Sequence, residues 1–105
     1  MGFTTIASGA ATSGEIAVGN NTIAKIFLPS TFDGTTLTFT GATEAGGTYH
    51  PIVDSAGAAV TKTCTASDCV TLAAADLWGV PYVKFTASTN QTTTDTVITF
   101  SYVSL

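Results

Sequence analysis

Arginine is absent from this chain of 105 residues, and lysine occurs only three times, at Lys25, Lys62 and Lys84. A nucleic-acid surface needs clustered cations to displace counterions from phosphates, so nucleic acid is not an expected partner. Charge of either sign is scarce. Only 10% of residues are charged, and seven acids against three lysines leave a net charge of −4. No apolar run approaches the roughly 18 residues that a membrane span requires, so no membrane partner is expected. Histidine occurs once, as His50, and tryptophan once, as Trp78. A lone imidazole with no Ser or Cys elbow motif beside it has to draw every partner from distant segments. No Asp-x-Asp-x-Asp-Gly loop is present, and the glycines follow turns without forming a phosphate-binding pattern. The expectation is a chain that is not an enzyme, with no catalytic residues, no cofactor and no metal.

Cysteine occurs twice, in Cys64-Thr-Ala-Ser-Asp-Cys69. The spacing is too long for a redox Cys-x-x-Cys pair, and the single His cannot complete a four-ligand metal site. Two readings remain open: a pair of reduced thiols flanking a turn, or a disulfide between Cys64 and Cys69 across a hairpin. The first residues have neither the basic start nor the apolar stretch of a secretory signal, so synthesis and retention in the cytoplasm of the producing cell is expected.

What the chain has in abundance is threonine, 22 residues, followed by 15 Ala and 10 Gly. Mean hydropathy is +0.40, too apolar for disorder throughout. Short β-prone runs alternate with turn residues. Thr36-Leu37-Thr38-Phe39-Thr40 has the period-2 alternation of a half-buried strand. Further strands are expected over 15–18, 22–28, 49–53, 82–87 and 96–103, with Pro51 marking a sheet edge. Residues 59–65 and 69–72 are expected to pair as a hairpin around a 65–68 loop. Ala73 to Trp78 is the one expected helical turn, too short to stand without packing. Asp33, Asp54 and Asp68 sit at turns, where a carboxylate caps backbone amides. The lysines, one per strand, read as guards against edge-to-edge pairing.

These elements predict an all-β domain: a β-sandwich or jelly roll of about eight short antiparallel strands over 14–105. Residues 1–13 read as an extended N-terminal arm without a core of its own, and its Phe3 and Ile6 are candidate assembly contacts. The expected core is Ile16, Ile26, Leu28, Leu37, Phe39, Ile52, Val60, Val70, Leu72, Leu77, Trp78, Val83, Phe85, Ile98 and Phe100. Trp78 has a competing reading. With Tyr82, Tyr49 and Tyr102 it is a candidate sugar-stacking platform, as in a carbohydrate-binding module.

Four segments carry a resemblance. They are Phe27-Leu28-Pro29-Ser30-Thr31-Phe32, Leu37-Thr38-Phe39-Thr40-Gly41-Ala42, Gly47-Thr48-Tyr49-His50-Pro51-Ile52-Val53-Asp54, and Leu77-Trp78-Gly79-Val80-Pro81-Tyr82-Val83-Lys84-Phe85. Over about residues 22–103 the chain resembles small structural proteins of tailed bacteriophages, on loose β-sandwich signatures. The resemblance implies a virion component, foremost a head decoration (cement) protein that binds the outer capsid surface and stabilises the shell. The implied partners are the major capsid protein and copies of the chain itself, as a homotrimer, and the implied location is the capsid surface of the virion. A tail or fibre-associated subunit is the alternative within the same class. Low charge and positive hydropathy agree with a chain that expects neighbours.

Overall fold

A computed structural model describes residues 2–73, 76–92 and 94–104. Every strand pairing in it is antiparallel, and no helix occurs among the described residues. The strands are β1 (Gly2–Ile6), β2 (Ile16–Ala17), β3 (Asn21–Phe27), β4 (Thr36–Ala42), β5 (His50–Pro51), β6 (Thr61–Thr63), β7 (Cys69–Thr71), β8 (Tyr82–Ala87) and β9 (Thr96–Ser104). Sheet A has the order β1-β9-β3-β7. Sheet B has the order β2-β8-β4-β5, with β6 also on β4. The all-β class read from the sequence is the class of the structure.

Alternation builds the core. On β4, Leu37 and Phe39 are buried while Thr36, Thr38 and Thr40 are half-buried; on β8, Val83, Phe85 and Ala87 are buried between partly exposed residues. Side chains of successive strand residues point to opposite faces, so each strand offers one apolar row to the other sheet. Phe85 joins the layers. Its ring meets Phe39 of its own sheet edge-on at 5.6 Å and Phe100 of the opposite sheet edge-on at 6.0 Å. Edge-to-face contact sets the positive ring edge against the negative ring face, which adds to the burial of three large rings.

Pro51 lies where its missing N–H matters least. β5 is an edge strand, paired only with β4 through Thr40↔Pro51 and Gly41↔His50. Gly41 has a packing reason to be glycine: a Cβ there would overlap the Val80 side chain, which closes over β4 from the 77–81 segment.

Several expectations are corrected. Of the expected arm over 1–13, Met1 lies outside the described residues, and 2–13 do not form an arm. β1 pairs with β9 from Gly2↔Phe100 to Ile6↔Thr96, and the chain then crosses to the edge of β8, where Ser13 N–H donates to the Phe85 carbonyl at 2.8 Å. Ile6 is fully buried in the common core, so it is not an assembly contact, whereas Phe3 is 71% exposed. The signal was weak because Phe3 points outward, leaving Ile6 as the one large apolar residue that β1 buries.

The 59–72 hairpin does not form. β6 pairs with β4 in sheet B, and β7 pairs with β3 in sheet A, so residues 64–68 cross between the layers. Asp68 organises that crossing by accepting from Thr65 N–H at 2.8 Å, while Ser67 takes a positive φ of 67° and donates its N–H to the Pro29 carbonyl. Trp78 is 67% exposed and is no core plug. Of the expected helical turn at 73–78, Ala74 and Ala75 lie outside the described residues. The remainder shows an Asp76 N–H to Ala73 carbonyl bond at 3.0 Å, with the Lys62–Asp76 ion pair at 2.9 Å tying it to β6. Of the three lysines, only Lys62 stands on an edge strand; Lys25 and Lys84 lie on the interior strands β3 and β8.

Ile6→Ala tests the correction at the N-terminal strand. A core position should lose about 2–5 kcal/mol in denaturant unfolding. A loss within about 0.5 kcal/mol, the usual range for a surface site, would mean that this segment is an arm after all.

Candidate functional surface

The polar groups with the most organised surroundings are structural in their geometry. Gln91 is fully buried in the segment between β8 and β9. Its Oε1 accepts from Asp33 N–H at 2.9 Å and from Thr96 Oγ1 at 2.7 Å, and its Nε2 donates to the Asp33 carbonyl at 2.8 Å. Its backbone N–H donates to the Ala10 carbonyl, and its carbonyl accepts from Gly9 N–H. Asp33 returns the contact by accepting from Thr92 N–H at 3.0 Å. One amide thus joins the 7–10, 31–35 and 88–95 segments at one end of the molecule. A lone Gln among threonines carries no local sign that it will be buried.

A second cluster lies at the opposite edge of sheet B. Tyr49 Oη donates to Glu15 Oε2, which also accepts from Gly46 N–H at 2.9 Å, and Lys84 Nζ stands 4.4 Å above the Tyr49 ring. The Tyr49 hydrogen bond, then that from Gly46, holds the Glu15 carboxyl below its ordinary range, aided by the Lys84 charge. Desolvation first, and the bond to Glu15 second, push the Tyr49 phenol well above its ordinary value. The cluster fastens the loop between β4 and β5 onto β8 and presents no free nucleophile.

His50 is exposed on β5, beside a shallow groove of about 290 Å³ whose floor is Gly41, Ile52 and Val80. No set of three or more His, Cys, Asp or Glu side chains with metal-binding proximity occurs among the described residues. Asp54 caps its own loop by accepting from Ala56 and Ala58 N–H at 2.9 and 3.0 Å, and Asp68 caps as described above.

Both cysteines are free thiols, so the disulfide reading is not what the structure holds. Cys64 is buried, and desolvation, then the nearby Asp68 charge, raises its pKa. Cys69 is exposed on β7. The two flank a crossing between sheets, not a hairpin turn.

The outer faces of the two sheets differ in chemistry. Sheet B presents threonine: Thr12, Thr86, Thr38 and Thr61 are successive cross-strand partners, and Thr12 and Thr86 Oγ1 atoms are 3.2 Å apart. Sheet A presents Phe3, Thr99, Phe27 and Cys69 as successive partners, with Val97 two residues from Thr99 along β9. Phe3, Val97 and Phe27 are 71%, 48% and 38% exposed. Trp78 stands apart from the sheet A face, at a depression of about 490 Å³ lined by Gly19, Asn20, Gly79 and Pro81. Tyr49 is engaged by Glu15 and Lys84, and Tyr102 lies on sheet A beside Phe100. The expected four-aromatic platform is therefore not assembled around Trp78. Comparison with protein-family models, with curated proteins and with solved structures finds no match.

Two expected outcomes follow from the polar clusters. Gln91→Ala should cost about 2–4 kcal/mol, because it strands the Asp33 N–H and carbonyl and the Thr96 hydroxyl in a closed site. Chemical denaturation checks this, and a change near zero would mean that water replaces the amide without loss. For Glu15, a depressed carboxyl stabilises the fold above the ordinary carboxylate pKa and loses that contribution as pH falls through its lowered value. Tyr49→Phe should return the Glu15 pKa toward ordinary in a carboxyl-carbon NMR titration. An unmoved titration would remove Tyr49 as the cause.

Proposed function

We propose that this chain is a structural subunit of a tailed-phage virion, foremost a head decoration (cement) protein on the outer capsid surface, which acts by burying surface between subunits. The observation that carries the reading is the outer face of sheet A, where exposed Phe3 and Phe27 flank Thr99 and exposed Val97 lies two residues along β9. A large exposed apolar patch on a small soluble domain marks a contact surface. The resemblance over about residues 22–103 supplies the kind of assembly. A rigid core with outward side chains held on paired strands suits docking, since little ordering remains to be done on contact.

The mechanism is mass action. A subunit that binds the assembled shell and not the free capsid protein stabilises the shell by the logarithm of its concentration over its dissociation constant. Its partners on this reading are the major capsid protein and copies of itself. A tail or fibre position is the alternative within the class. One feature favours a reading of another class: the exposed indole of Trp78 lines a depression together with Asn20, and an aromatic face with a polar residue nearby suits stacking and orienting a sugar ring.

Shells lacking the protein should gain thermal stability when it is added, and gold-labelled antibody should decorate heads and not tails. Labelled tails would move the protein to the alternative site. Failure to bind any particle, together with quenching of Trp78 fluorescence by a panel saccharide, would overturn the virion reading in favour of sugar binding.

A further inference from the structure

Sheet A carries on its outer face a surface fit to meet its own copy. Phe3, Thr99, Phe27 and Cys69 run in one line across β1, β9, β3 and β7. Val97 and Thr5 form the next pair on one side of this line, and Ser101, Lys25 and Thr71 the next row on the other. Further along β9, Val103 is 53% exposed on the same face. Lys25 is the one charged residue among these, and its Nζ bonds Thr71 Oγ1 at 2.8 Å.

Charge argues for the occupant. The chain has a net charge of −4, so two copies repel in most orientations. All seven carboxylates lie in the connections: Glu15, Asp33, Glu44, Asp54, Asp68, Asp76 and Asp95 are all outside the strands. No carboxylate lies on a strand of sheet A, and Asp68 and Asp95 stand only at its rim, one residue before β7 and β9, whereas the outer side of sheet B has Glu15 bonded to Tyr49. Two acidic copies can therefore meet at the centre of sheet A without burying a carboxylate there.

Area argues for the order of assembly. Strands of 5, 9, 7 and 3 residues, at a spacing of about 4.8 Å and a rise of about 3.4 Å per residue, cover roughly 390 Å². Two such faces bury about 800 Å² in total, the size of a weak, transient contact and below that of a permanent interface. A single flat patch that pairs with itself generates a two-fold dimer, whereas a trimer needs two different complementary patches on each protomer. Sheets stacked face to face are a standard β packing, with the layers about 10 Å apart.

We propose that the outer face of sheet A, centred on Phe3, Val97 and Phe27, docks a second copy of this chain face to face about a two-fold axis. The inference rests on the reading of the protein as an assembly subunit and departs from it in making the free unit a dimer, not a trimer. With about 800 Å² buried, the dimer is weak and concentration-dependent, with dissociation on the order of 100 micromolar.

The test uses the full chain in two measurements. In analytical ultracentrifugation, the mass should rise twofold, from one chain to two, between low-micromolar and near-millimolar concentration. Phe3→Glu should hold it at one chain, and because Phe3 is exposed, its thermal unfolding in dilute solution should match the wild type. Independently, maleimide labelling of Cys69, the exposed thiol, should slow several-fold as the dimer fills, while buried Cys64 stays unlabelled in both states. A mass of one chain at every concentration, or of three, overturns the proposal. A monomer whose Cys69 is protected only on shells also overturns it, because the face then docks on the capsid. A dimer that binds no shell supports the proposal and removes the virion reading instead.

Discussion

The fold depends on one side chain with a neighbour in each layer. Phe85 packs edge-on against Phe39 within sheet B and against Phe100 across the gap to sheet A. Once those rings face inward, alternation decides the orientation of every other residue on β8, β4 and β9. A slip of one residue in any of these strands would turn its apolar row to water and its threonines to the core. The register is therefore strongly specified, and the two outer faces follow from it: a row of hydroxyls on sheet B, and Phe3, Val97 and Phe27 set among smaller polar residues on sheet A.

The connections follow a different logic from the strands. The chain passes between the sheets at most steps, and even its first and last strands, β1 and β9, are neighbours in sheet A. Such non-local pairing must close long loops before contacts reward it, which slows folding. The ends of the sandwich are held by polar knots. Gln91 joins three segments at one end, and Glu15 with Tyr49 fastens a loop at the other edge. A buried amide with both ends satisfied is tolerated in a closed site, and its several partners give the loops a single arrangement.

Much of the strand pattern was legible because it is local. Leu37 and Phe39 between threonines announce a half-buried strand, and Pro51 announces an edge. Pairing was not legible where two strands of similar character share a short link. Cys64 and Cys69 have the separation of a hairpin, yet Leu28 N–H bonds the Asp68 carbonyl and draws the second strand to sheet A. β1 was missed because its inward residue, Ile6, is isolated among small residues. The burial of Gln91 depends on groups from three distant segments, which no local window contains. Trp78 misled in the opposite sense, since an indole in an apolar-looking segment invites a core assignment, while here it stands on an exposed turn.

For function, the legible part was the shortage of charge, and the illegible part was the place where apolar surface would collect. Phe3, Phe27 and Val97 come from three strands separated by most of the chain and meet only through register. The central claim is that this protein works by covering that face. Imaging an assembled particle at side-chain detail tests it most directly: Phe3, Val97 and Phe27 should all be in contact with protein. The same three side chains facing open solvent in the particle would contradict the account.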